Sequence, residues 1–180
     1  MRPQLNSGTL GGRVMARESY ATANSILGAA RELGLGDRSF SQLPGWRAAE
    51  LLDRVLDTFT SRGRGARLKR WIWNDLLDPT AFFQTDQNLL LRFGTPSDLV
   101  WLITEDFGAT KDGPPFWLFE GTLGAVSTTL DNHHLLEFLV VSQPLTWLAG
   151  QNHHDIWFAS GAPAVAVLQR ISAESTASGT

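Results

Sequence analysis

The chain contains no cysteine, which excludes a disulfide framework and any metal centre held by thiolates. Tyrosine is nearly absent, with one copy against seven tryptophans and ten phenylalanines, so much of the packing energy rests on a few large, mostly apolar rings. No apolar run approaches the roughly twenty residues that a bilayer-spanning helix needs. Met1 to Gly12 is polar and glycine-rich, unlike a secretory signal. There is no GxSxG elbow, no P-loop and no GxGxxG after a strand pattern, so the short motifs that mark hydrolases, nucleotide hydrolases and dinucleotide enzymes supply no case here. The expected setting is the cytoplasm, with no membrane contact and no cofactor.

What is present describes an ordinary globular domain. The 180 residues are 43% hydrophobic and 18% charged, enough chain to bury a proper core. The net charge of −3 conceals an uneven layout. Residues 1–70 carry twelve Lys or Arg against six Asp or Glu, whereas residues 71–180 carry three against twelve. The halves should attract each other, or each should attract something else. The expected organisation is a tail over 1–12, one α+β domain over 13–172 with a helical part (13–60) and a sheet part (70–172), and a second tail over 173–180.

Periodicity predicts a helix over 13–35, closed by Gly34 and Gly36, and a stronger one from Trp46 to Phe59 with Leu51, Leu52, Val55, Leu56 and Phe59 on one face. Trp71-Ile-Trp73 alternates like a strand. Leu76 to Phe93, broken by Pro79, is hard to read, with a short element near Leu89 to Leu91. Leu99 to Thr104 and Phe116 to Glu120 read as an antiparallel hairpin around a long polar loop. A short helix follows from Leu123 to Leu130 behind Thr122 as N-cap. Strands are predicted at Leu135 to Val141, Leu145 to Ala149 and Ile156 to Ala159, and a helix from Pro163 to Ile171. The fold class is therefore α+β: a mainly antiparallel sheet of about five strands, helices on one face, and two N-terminal helices packed against it.

The series Arg70-Trp-Ile-Trp-Asn-Asp75, Val100-Trp-Leu-Ile-Thr-Glu-Asp106, Phe116-Trp-Leu-Phe-Glu-Gly121, and Glu137-Phe-Leu-Val-Val-Ser142 leading to Thr146-Trp-Leu-Ala-Gly-Gln-Asn-His-His154 resembles a family of uncharacterised bacterial proteins known only as a domain of unknown function. The resemblance covers about the last two thirds of the chain and implies no catalytic residues. Small α+β proteins of this kind are also similar, in a general way, to the immunity proteins that bacteria keep beside toxins.

All four histidines fall in two triplets, Asn132-His-His134 and Asn152-His-His154. One imidazole from each could share a metal with Asp131, Asp155 or Glu120, but adjacent histidines diverge on any regular backbone. The competing reading is structural: turn residues, with Asn152 capping its own hairpin. The candidate binding loop is Asn152, His153, His154 and Asp155, with Glu105, Asp106 and Glu120 as further carboxylates at strand ends; no metal is assigned. Ser61 to Arg70 holds five positive charges beside Trp71 and Trp73, a possible phosphate clamp that the acidic half would oppose. The expected function is a non-enzymatic protein-binding module, immunity-like, whose acidic surface meets a basic, toxin-like protein. The alternatives are a metal-dependent hydrolase built on the Asn-His-His loops and a nucleic-acid binder using residues 62–73.

Overall fold

A computed structural model describes residues 21–68, 72–105, 116–133, 135 and 137–178. Among these the elements run α1 (Ala21–Glu32), β1 (Phe40–Gln42), α2 (Gly45–Phe59), β2 (Thr80–Gln84), β3 (Leu99–Glu105), β4 (Phe116–Thr122), α3 (Leu123–Asn132), β5 (Phe138–Ser142), β6 (Leu148–Gln151), β7 (Ile156–Ser160) and α4 (Ala162–Ser178). Short 3-10 turns occupy Gly63–Leu68, Ile72–Asp75 and Leu90–Arg92.

The strands form one sheet in the order β1-β4-β3-β5-β6-β7-β2, with every pairing antiparallel. The α+β class stands, but the sheet has seven strands rather than about five. The two additional strands are its edges, β1 and β2. Both are short and sit beside turn-forming residues, so neither shows a periodic pattern of useful length.

Helices cover both faces, not one. On the first face, α1, α3 and α4 pack over Val100, Leu102, Phe119, Val140 and Trp157. On the second, α2 lays Leu51, Leu52, Val55, Leu56 and Phe59 over Trp101, Ile103, Leu118, Val141 and Phe158. The two N-terminal helices therefore lie on opposite sides. The cause is visible in β5, whose five residues are all buried: a strand that is apolar at consecutive positions needs cover above and below.

Local chemistry fixes the joints. Gly34, at φ 73°, ends α1, and the Leu35 N–H returns to the Ala30 carbonyl at 3.0 Å. The Thr122 hydroxyl accepts the Ala125 N–H at the start of α3, as the sequence indicates. Ser142 Oγ accepts N–H bonds from Thr146 and Trp147, and Leu145 takes a left-handed φ of 57°. These delay β6 to Leu148, so the strand predicted from Leu145 begins three residues later. The helix predicted to end at Ile171 continues to Ser178, so residues 173–178 are helical rather than a tail. Residues 72–75 form a 3-10 turn, not the strand that the alternation of Trp71-Ile-Trp73 would allow. Trp71, the predicted helical residues 13–20 and the predicted 1–12 tail lie outside the described residues.

The turn before β3 is held by Asp98, whose carboxylate accepts the Thr95 hydroxyl at 2.7 Å and the Thr95 N–H at 2.8 Å. These bonds, the hydroxyl's first, hold the Asp98 carboxyl below its ordinary range. A depressed carboxyl contributes stability above its unfolded pKa, near 4, and the contribution fades as pH falls through the folded value. The stability difference between wild type and Asp98→Asn should therefore shrink as the pH drops below about 4, as followed by thermal unfolding across pH.

Candidate functional site at the acidic end of the sheet

The β6–β7 turn is built by Asn152. Its buried side chain accepts the N–H groups of His154 at 2.9 Å and Ile156 at 3.2 Å through Oδ1. Its own N–H donates to the Ile156 carbonyl at 3.1 Å, and the Asp155 N–H returns to the Asn152 carbonyl at 3.0 Å. Asp155 adopts φ 56°, a conformation that Asp tolerates better than most residues. The turn pushes His153 and His154 outward, their ring centroids 3.9 Å apart.

Residues 85–88 tie this turn to the end of α3. The Thr85 N–H donates to the Asp155 carbonyl and the Gln151 amide donates to the Thr85 carbonyl, both at 3.0 Å. The Trp157 indole N–H donates to the Gln87 carbonyl at 3.0 Å. Asn88 then donates to Ser127 Oγ at 3.0 Å and to Asp131 Oδ1 at 2.9 Å. Segments 85–88, 131–133 and 151–155 thus make one continuous rim. Asp86, Asp131 and Asp155 are exposed on it, and these segments contain no lysine or arginine.

Four arginines elsewhere meet carboxylates. Arg47 grips Glu120 through both carboxylate oxygens, at 3.1 and 3.0 Å. Arg62 meets Asp75 at 3.0 Å and Arg92 meets Glu174 at 2.9 Å. Arg64 meets Asp57 at 3.0 Å, a contact that raises its pKa further. Arg47–Glu120 and Arg62–Asp75 join the basic first part of the chain to the acidic second part, the mutual attraction that the charge layout implies. Trp73 packs on Phe158 with ring centroids 6.5 Å apart. With Arg62 and Arg64 paired, the phosphate clamp expected over 62–73 has two of its cations already engaged.

Below the rim, Glu137 is buried, with a side chain 6% exposed, and pairs with Nδ1 of His153. Together with Glu105, Trp73, Ile103 and Phe158 it lines a small, partly open cleft on the α2 side, with a volume of about 10 Å³, roughly room for one water. Glu137 opens the motif segment Glu137-Phe-Leu-Val-Val-Ser142 but is absent from the candidate site residues; its one local signal is an acid set directly before the apolar run of β5. The β5–β6 register, Phe138 opposite Gln151, brings it beside the histidine turn. Removing the imidazole leaves a buried carboxylate with a lost partner. His153→Ala should lower stability by about 1–3 kcal/mol, and Glu137→Gln/His153→Ala should recover part of that loss in chemical denaturation.

The structure gathers Asn152, His153, His154 and Asp155 into the turn, and sets Glu105 at the adjoining cleft. Glu120 is not part of this group. Glu105 pairs across the ladder with Phe116, and Glu120 with Trp101, four residues further along the strand or about 13 Å. The expected carboxylate trio is thus divided, because the strand ends it relied on are opposite ends of the hairpin. Asp106 and His134 lie outside the described residues. Among the described residues no three His, Asp or Glu side chains are grouped closely enough to hold a metal ion, and no helix is long and apolar enough to cross a membrane.

Fold and rim together define an α+β protein with a seven-stranded antiparallel sheet sandwiched between helices and an acidic, histidine-bearing end. The chain belongs to DUF6756, a family of unknown function, whose model matches residues 20–172. The match reaches further toward the N-terminus than the motifs from residue 70 onward that carry the resemblance. No curated protein and no solved structure matches the chain.

Proposed function

We propose that this protein is a binding module for another protein, and that the acidic rim meets a basic surface on its partner. The observation that carries this reading is the exposed set Asp86, Asp131 and Asp155 on one hydrogen-bonded rim lacking lysine and arginine, while Arg47, Arg62, Arg64 and Arg92 pair with carboxylates elsewhere. A surface of one sign on a braced framework steers an oppositely charged partner and fixes its orientation. The immunity-like version makes that partner a basic toxin, encoded beside this protein in a bacterial genome and neutralised in the cytoplasm.

The test is to titrate the purified product of the neighbouring gene against this protein at two salt concentrations. Binding should weaken with salt, and Asp131→Asn/Asp155→Asn should weaken it about tenfold or more. Binding that ignores both salt and the rim substitutions would overturn the reading.

A further inference from the structure

β2 forms one edge of the sheet, and its five residues, Thr-Ala-Phe-Phe-Gln, carry no charge. Its register with β7 runs through five consecutive pairs with no bulge, and Phe82 is 54% exposed. Edges of this kind pair readily with another strand unless charge, proline or a bulge blunts them. The opposite edge, β1, has only three residues.

The hydrogen-bond phase says which groups are available. The Thr85 N–H bonds the Asp155 carbonyl, one step beyond the last register pair, Gln84 opposite Ile156. Antiparallel ladders alternate bonded and non-bonded pairs. Phe83 and Ala81 therefore bond toward β7, while the N–H and C=O groups of Thr80, Phe82 and Gln84 face outward. No hydrogen bond reaches these six groups from the described residues.

Charge selects the occupant. Asp78 and Asp86 bracket the edge, both exposed and, among the described residues, neither in an ion pair. A second copy pairing antiparallel about Phe82, the register that engages all three outward residues, would set Asp78 against Asp86 of the other copy at both ends, and like charges directly opposite are unfavourable. A strand with an apolar centre and basic ends meets the same edge with its charges matched. We infer that the outer edge of β2 accepts an extended segment of a basic protein, apolar or β-branched in the middle and Lys/Arg at both ends, as an eighth strand. The inference rests on the protein-binding reading and names how the partner attaches.

The probe is the peptide Lys-Lys-Thr-Val-Ile-Val-Thr-Lys-Lys with capped ends, compared with its Glu-ended counterpart, using the whole chain. Amide exchange should be fast at Thr80, Phe82 and Gln84 and slow at Ala81 and Phe83 in the free protein, and the Lys-ended peptide should slow the first three. The Glu-ended peptide should bind at least about tenfold more weakly. Phe82→Pro, which removes an outward N–H together with the exposed ring and takes no hydrogen bond from the β7 side, should abolish binding, and Asp78→Asn/Asp86→Asn, two surface changes, should weaken it about tenfold. The proposal fails if about 1 mM peptide, a very weak limit, leaves the three amides unchanged, or if Phe82→Pro binds normally. It also fails if sedimentation finds a dimer that Phe82→Pro dissolves, which would give the edge to a second copy. Should the neighbouring gene's product bind wild type and Phe82→Pro alike yet lose affinity for Asp131→Asn/Asp155→Asn, the rim reading stands and strand addition does not.

Discussion

Gly150→Val is expected to yield no cooperatively folding protein, and Gly150→Ala to lose about 3 kcal/mol. A Cβ at position 150 would lie 2.3 Å from the Phe138 carbonyl oxygen and 2.8 Å from the Phe158 ring. The first obstacle is backbone in the neighbouring strand, so it cannot rotate away. The second is a ring that is itself fixed: Phe158 pairs with Gly150 across the ladder, fills the space that the missing side chain leaves, and carries Trp73 against it. An aromatic laid over a strand glycine recovers packing that glycine alone cannot give. Thermal unfolding of Gly150→Ala should move downward by about 6–12 °C for a domain of this size, with loss of near-ultraviolet aromatic signal from the displaced rings. An unchanged midpoint would show that β5 and β6 can separate at no cost, contrary to the register described above.

Trp157→Ala is expected to cost about 3–5 kcal/mol, because a fully buried indole leaves a large cavity. Its ring is 0% exposed, stacks on Phe93 at 6.0 Å and meets Phe138 edge-on at 5.6 Å. Its N–H holds the Gln87 carbonyl at 3.0 Å, so the loss should reach the rim as well as the core. Denaturant titration gives the energy, and faster amide exchange over 85–88 than in Trp157→Phe would isolate the share owed to spacing of the core. Trp157→Phe keeps most of the apolar volume and loses the hydrogen bond, so its cost should be well below that of alanine.

The parts of the fold that were legible are those in which one residue class repeats at a structural period. The apolar stripe of α2, the Thr122 cap, the β3–β4 hairpin and the strand runs of β5 and β7 all followed from local pattern. The edges were not legible: Phe40–Gln42 is too short to show alternation, and Thr80–Gln84 lies just after Pro79 within a broken stretch. The second layer of cover has its mark in the sequence. Phe138-Leu-Val-Val141 lacks alternation because both of its faces are buried, a pattern that demands helices on two sides.

The candidate site divides along the same line. The Asn152 turn depends on contacts two to four residues away, and that local chemistry is visible in the sequence. Glu137 meeting His153 depends on the β5–β6 register, Glu120 meeting Arg47 on α2 crossing the second face, and Asn88 meeting Asp131 on the path of residues 85–88. Residues so far apart in the chain carry no local mark of their contact. The electrostatic layout, basic first and acidic later, is a property of composition along the chain, while four arginine–carboxylate pairs and one acidic end arise from the tertiary fold.

The most direct measurement is amide hydrogen exchange of the whole protein with and without the neighbouring gene's product. Exchange should slow over 85–88, 131–133 and 152–155, with α2 and the Arg47–Glu120 region unchanged. Protection confined to α2 or to the Gly63–Leu68 turn, with the acidic end untouched, would contradict it.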